Sequence, residues 1–464
     1  MDADAGFRRE LTFFDVTNMT VGAIVGADIY VASAITAGLL GPASLLAWVL
    51  AGLLATILAL CLAECSRLVS DVGGPYAYVT HAFGPFLGFV AGWSMWIAEL
   101  TALPVFAIAF TNYLGYFVGL SSPVNHMIRL LFLAVLTGVN VVSVRAAGRF
   151  NDALTLLKLS PLLLMVVAGF VYMAFHTGEV GNHLSPFAPF GFNHFPRAVV
   201  LVFWAYAGFE LSTVPSGEVR DPQRTIFRAL VTGMLIVTAF YLSTNLVVYS
   251  LVDHTELMRT ATPLATTGTV LFGSAGATIM AAGAMISVSG SDESDMLGSA
   301  RLSYAMAADG LLPHGLARLH QRFRTPHIAL IAQAALAGVL TFVGNIAGLI
   351  SFAVVNLSIA FLLCALALYR LQRRRAEPLT PLLAALPVAA ALVSGGLLLS
   401  TPIDDKLTGA GVLLAGAVVY LAAAPRTRIP NLLHPLSLHE LNRRRMRFLG
   451  GLVGWLGGHR SSPA

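Results

Sequence analysis

Long apolar runs separated by short polar stretches make up most of this chain. Their lengths predict a bundle of membrane-spanning helices. About 20 apolar residues cross a bilayer. On that ruler twelve spans are expected, near 12–40, 44–69, 82–112, 127–144, 151–174, 197–217, 229–251, 268–298, 327–343, 346–369, 379–400 and 407–424. Two of these runs are interrupted. The first carries Gly22-Ala23-Ile24-Val25-Gly26-Ala27-Asp28 near its middle, and the sixth carries Ala205-Tyr206-Ala207-Gly208-Phe209-Glu210. Glycines weaken a helix, and a carboxylate at mid-membrane depth is costly. Open backbone inside a bilayer is tolerated only where it lines a cavity or is buried in protein. Interrupted helices in corresponding positions of two halves therefore point to a binding site.

Composition supports the membrane reading. Of the 464 residues, 57% are hydrophobic and 11% charged, against about 25% charged in a soluble domain. Cys61, Cys65 and Cys364 all lie in apolar runs and read as small buried hydrophobes. The first twelve residues are polar and run straight into a full-length span, so no cleavable signal peptide is expected. With the N-terminus in the cytoplasm, 23 of the 28 Lys and Arg fall on inside segments and 4 outside, with Lys158 inside a span. That bias predicts cytoplasmic termini. It also explains the net charge of +5 without a nucleic-acid partner. Residues 299–325, rich in Arg and His, are expected to form short interfacial helices. The nine apolar residues 448–456 are too few to cross and are expected to lie on the membrane surface. The external stretch 175–196, with Pro186, Pro189 and Pro196, reads as an ordered loop.

Several strings resemble one family in the same order. Gly22 to Tyr30 is similar to the first-span glycine motif of the amino acid–polyamine–organocation superfamily. Gly73-Gly74-Pro75-Tyr76-Ala77-Tyr78, followed by Phe83-Gly84-Pro85-Phe86-Leu87-Gly88-Phe89 and Gly92-Trp93, resembles its approach to span three. Pro189-Phe190-Gly191, Phe203 to Glu210 and Glu218 to Arg224 resemble its sixth span and the flanking loops. Arg301 to Pro313, then Thr325-Pro326, resembles its signature after span eight. The resemblance covers about residues 12–345.

It implies an all-α membrane protein whose core, 12–370, is a five-plus-five inverted repeat of 12–174 against 197–370, with helices one and six broken. Two peripheral spans would follow at 379–424, with cytoplasmic tails at 1–11 and 425–464. It also implies secondary active transport across the plasma membrane by alternating access. The physics of a broken helix agrees. Free N–H groups at the start of the second half present a partly positive end to a carboxylate, and the last carbonyls of the first half can take an ammonium. An α-amino acid carries both groups. The other reading of the glycines is a kink that only permits close packing.

The expected substrate-binding residues are Ala23, Ile24, Gly26, Ala27 and Asp28 at the first break, and Trp204, Ala205, Ala207 and Gly208 at the second. Glu293 and Asp295 in span eight complete the set. Asp28 departs from the family pattern, where a small residue is usual. It can pair with a substrate cation, carry a coupled proton, or cap the half-helix. Helical spacing puts Asp292 and Asp295 on one face, with Glu293 about 100° round. These acids line the site, or, if the span ends early, reach the cytoplasmic interface. Glu99 in span three and Glu210 after the second break are further intramembrane acids, expected to be functional or to tie helices together. Lys158 lies nine residues past Arg149, roughly 13 Å along the helix. In a subset of the superfamily a span-five lysine fills the place of a coupling sodium ion, so the resemblance implies proton coupling there; a permanent structural pair is the alternative. By the same resemblance Trp204 would close over the substrate as a gate, unless it faces lipid.

Gly-rich phosphate loops, metal-spaced His or Cys clusters and nucleophile–base sets are missing from the sequence. Neither an enzyme nor a cofactor is expected. The partners expected are a small-molecule substrate (an amino acid or an amine), the proton and the lipid bilayer. A carrier of amino acids leads; carriage of cationic amines or polyamines, or amino acid/amine exchange, stays open.

Overall fold

The computed structural model describes residues 11–26, 28–69, 73–142, 144–210, 219–374 and 379–423. Among them the fold is all helix, apart from an isolated bridge between Leu11 and Val219. Nine stretches are long and apolar enough to cross a membrane, and two shorter apolar helices accompany them. The first stretch, Asp28–Leu68, turns at Gly41 (φ 64°) and so holds the second half of span one followed by span two. With that division the described helices follow the twelve expected spans in order.

Span one is split into α1 (Phe13–Ile24) and α2 (Asp28–Leu40). Thr12 starts α1 through a capping box with Asp15. Val25, with extended backbone, ends it. Span two is α3 (Ser44–Leu68). A short α4 (Pro75–Phe83) leads through Gly84 into α5 (Pro85–Leu114), which is span three. Spans four and five are α6 (Ser122–Val142) and α7 (Val144–Phe175). Next come α8 (Thr177–His183) and α9 (Phe195–Ala205). The stretch between α8 and α9 is tied down where Ala43 N donates to the Phe187 carbonyl at 2.8 Å. The helix of span six stops at Ala205 and residues 206–210 form turns; 211–218 lie outside the described residues.

The second half comprises α10 (Pro222–Leu251), α11 (His254–Leu257), α12 (Pro263–Ala308), α13 (His327–Val343), α14 (Ile346–Gln372), α15 (Pro381–Ser400) and α16 (Ile403–Ala423). One expectation is corrected here. The segment after residue 298 does not begin as separate interfacial helices: α12 runs on to Ala308, and only a single 3-10 turn, His314–Ala317, follows. Near its start α12 leaves helical geometry at Phe272 and Gly273.

Burial sorts these helices. α5 is buried along nearly its whole length, and α14 mostly so. The outer helices turn large apolar side chains outward, including Phe175, Val343, Leu382, Leu392 and Leu399, each more than two-thirds exposed. Apolar surface on that scale suits lipid rather than water. The centre of the bundle is where α1, α2, α5, the end of α9 and α12 meet around a small cavity.

Candidate functional site

The break in span one is held open by side chains from three other helices. Lys158 on α7 donates from Nζ to the Gly22 carbonyl, and also to Ser291 Oγ at 3.2 Å. Ser291 on α12 donates to the Val25 carbonyl at 3.0 Å. Tyr241 on α10 places its hydroxyl 2.9 Å from the Ile24 carbonyl and 2.7 Å from Asp28 Oδ2. The carbonyls at the end of a helix lack intrahelical partners. Here they are satisfied without resuming the helix.

Tyr241 has one proton for two acceptors. Either the proton is shared, or Asp28 itself carries a proton, donates to the Tyr241 oxygen, and leaves Tyr241 free to donate to Ile24. The ring is fixed by packing: Trp48, Tyr206 and Tyr241 meet edge to face, with centroids 5.2 to 6.0 Å apart.

The second break presses against the first. Gly208 has φ 111°, and a Cβ built on it would lie 2.9 Å from the Ala23 carbonyl oxygen. Only glycine permits both that backbone conformation and that approach. Gly208 N donates to Glu210 Oε2 at 3.0 Å, so the buried acid folds back onto its own turn. Glu99 on α5 lies within hydrogen-bonding reach of Glu210 and of Asp295 on α12.

The cavity is lined by Ala23, Asp28, Glu99, Ala102, Phe106, Trp204, Ala207, Gly208, Ser291, Ser294 and Asp295. Its volume is about 30 Å³. That is room for water and too small for an amino acid. Admitting one requires the helices around it to move.

Seven of the expected residues thus meet in one wall: Ala23, Asp28, Glu99, Trp204, Ala207, Gly208 and Asp295. Trp204 is 6% exposed and packs on Phe106 with ring centroids 5.9 Å apart, so it faces the interior and not lipid. Ile24 and Ala205 are buried behind the wall. Gly26 backs onto Ser291, where a Cβ would meet the Ser291 side chain at 3.0 Å. Lys158 is one step behind, joined to the wall through Ser291. Glu293 is not in the wall; its main-chain carbonyl accepts from Asn140 Nδ2 at 3.3 Å. Because α12 continues well past Asp295, Asp292 and Asp295 sit inside the helix and are buried. Ala27 and the C-terminal tail lie outside the described residues.

Sequence reasoning missed Ala102, Phe106, Ser291, Ser294 and Tyr241. Some of this was readable. Glu99, Ala102 and Phe106 recur at helical spacing on one face, as do Ser291, Ser294 and Asp295. Tyr241 had no local signal, since nothing near it in an apolar span marks its hydroxyl.

Comparison with known proteins places this arrangement among carriers. The amino acid permease family matches residues 11–422. The serine/threonine exchanger SteT of Bacillus subtilis is 29% identical over 440 residues, which is 91% of this chain and 98% of that protein. The methylthioribose transporter of Bacillus subtilis is 25% identical over 76% of this chain and 81% of its own length. The branched-chain amino acid permease BcaP of the same organism is 23% identical over 81% and 83%. All of these are named as transporters, and none as an enzyme.

Proposed function

Because this chain belongs to the amino acid permease family, we propose that it is a secondary active transporter that moves amino acids across the plasma membrane by alternating access, coupled to protons. The observation that carries this reading is the contact of the two interrupted helices at Gly208 and Ala23, beside a central cavity. Two open backbone segments meeting at a buried cavity suit an α-amino acid head group, with its carboxylate on free N–H groups and its ammonium on helix-end carbonyls. The serine/threonine exchanger and the branched-chain permease among the relatives favour the same substrate class.

In this reading residues 12–370 form the moving core, 12–174 and 197–370 are its inverted repeats, and 379–424 is peripheral. Both termini lie in the cytoplasm, as the arginine distribution favours. Trp204 closes the site. Lys158 carries the coupled proton: it contacts the first break and, through Ser291, the cavity wall, so its charge state follows the state of the site. The acids of the cavity wall favour a second reading, carriage of cationic amines or amino acid/amine exchange.

A thermal-shift screen of amino acids and amines on the purified protein tests the proposal. A ligand that binds only the native state stabilises it with occupancy. Stabilisation by amino acids supports the reading. Stabilisation by amines that lack a carboxylate, and not by amino acids, replaces it with the second. No stabilisation by either class counts against both.

A further inference from the structure

The cavity is chemically lopsided. Every ionisable group in its wall is a carboxyl: Asp28, Glu99 and Asp295. Glu99 and Asp295 lie within hydrogen-bonding reach of each other. An ionised carboxylate only accepts, so two carboxyls in such contact need a proton between them. The charged groups facing this pair are Glu210 beyond the end of α9, Asp292 on α12 and Asp28 on α2, all acids. Lys158 on α7 is engaged with the Gly22 carbonyl and Ser291, on the side of the first break. Glu99 and Asp295 are 6% and 8% exposed, and no donor among the described residues reaches Glu99 Oε1 or Asp295 Oδ2. Apart from the proton the pair shares, nothing among the described residues serves these two buried oxygens.

The pair is also displaced from the break. Ser291 binds the Val25 carbonyl at the first interruption, and Asp295 lies four residues further along the same helix, about 6 Å away at 1.5 Å per residue. That matches the reach of a long, unbranched side chain from an α-amino acid head group. Phe106 and Trp204 add ring faces to the same wall, and such faces attract cations.

We propose that the Glu99–Asp295 pair is a subsite for a positively charged substrate side chain, an ammonium or a guanidinium, and that this cation displaces the proton the two carboxyls share. The proton leaves to water as the cation enters, one for one, so the charge of the occupied site equals that of the empty one. Both states carry the same net charge of minus one, so binding the cation adds no further buried charge. This subsite rests on the amino acid transporter reading and adds a substrate class to it: amino acids with a cationic side chain, bound in exchange for a proton.

The test is calorimetric titration of the purified protein with L-lysine, and with a neutral amino acid of similar length, in two buffers of different ionisation heat. The α-ammonium is common to both ligands, so their difference reports the side chain. L-lysine should release close to one proton per molecule bound and tighten about tenfold per pH unit over the range in which the pair holds its proton. The neutral ligand should release none. In Asp295→Asn and, separately, Glu99→Gln, proton release should vanish and the lysine-to-neutral selectivity should fall about tenfold or more. Circular dichroism and monodispersity report on folding. Equal binding of both ligands to the wild type without proton release overturns the subsite and leaves the transporter reading standing. Unchanged selectivity in both folded variants overturns it as well. Failure to bind either ligand removes the transporter reading with it.

Discussion

Gly208 and Ala23 touch through their backbones: a methyl group at Gly208 would sit 2.9 Å from the Ala23 carbonyl oxygen. The two interrupted helices are therefore packed as closely as main chain allows. Gly208→Ala meets that carbonyl and also forces an L side chain to φ 111°, a region only glycine visits readily. The breaks must part, and any ligand that bridges them is lost. Uptake into proteoliposomes should fall about tenfold or more, while the purified protein stays helical and monodisperse. Full uptake by Gly208→Ala would separate the contact from function.

Tyr241 serves Asp28 and the Ile24 carbonyl at once. Tyr241→Phe leaves both buried groups short of a partner. The expected cost in stability is about 1–3 kcal/mol, read from thermal or denaturant unfolding in detergent. Asp28→Asn keeps the shape. If Asp28 only caps α2, asparagine serves nearly as well, and binding changes by well under about 1 kcal/mol. If Asp28 pairs with a substrate cation, affinity for cationic ligands falls most. Equal losses for neutral and cationic ligands would count against that pairing.

How much of this was legible in the sequence depended on distance along the chain. The spans and both breaks were readable because helix length and glycine placement are local properties. Asp28, Trp204, Ala207, Gly208 and Asp295 were placed in the site because they lie in or beside interrupted or acidic stretches, and the cavity wall holds them. Glu293 was grouped with Asp295, yet it stands two positions before it, about 160° round the helix, and so leaves the wall. Tyr241 and Ser291 close the first break from 217 and 266 residues away. No spacing rule reaches that far; only the tertiary packing of α10 and α12 on α1 brings them in. The end of α12 was misjudged because 299–325 was read as one Arg- and His-rich unit, while its first ten residues, mostly apolar, continue the helix to Ala308.

Lys158→Ala removes the donor that holds the Gly22 carbonyl and Ser291. In the proposed reading the head-group contacts come from the broken helices, so the variant should still bind substrate, as thermal shift will show. It should fail to concentrate substrate under an imposed pH gradient, because the proposed proton carrier is gone. Accumulation equal to wild type under that gradient would make Lys158 structural and move coupling to the carboxyls Asp28, Glu99 and Asp295.

Trp204 is buried against Phe106 at the cavity wall. Trp204→Ala opens the wall and lets water reach the occluded ligand. Substrate dissociation should speed up by about tenfold or more, with a smaller change in thermal stability of the ligand-free protein. Unchanged dissociation in stopped-flow or exchange measurements would assign Trp204 to packing alone.

Transient counterflow in proteoliposomes tests the transporter reading most directly. Liposomes holding the purified protein are preloaded with an unlabelled amino acid and diluted into a trace of the labelled one. A carrier with its site at the two breaks gives a labelled overshoot above equilibrium that saturates with substrate. The overshoot should disappear in Gly26→Leu, whose side chain collides with Ser291 where a Cβ already has only 3.0 Å. Labelled influx that never overshoots and is indifferent to preloading, or an overshoot that survives intact in a well-folded Gly26→Leu, would contradict it.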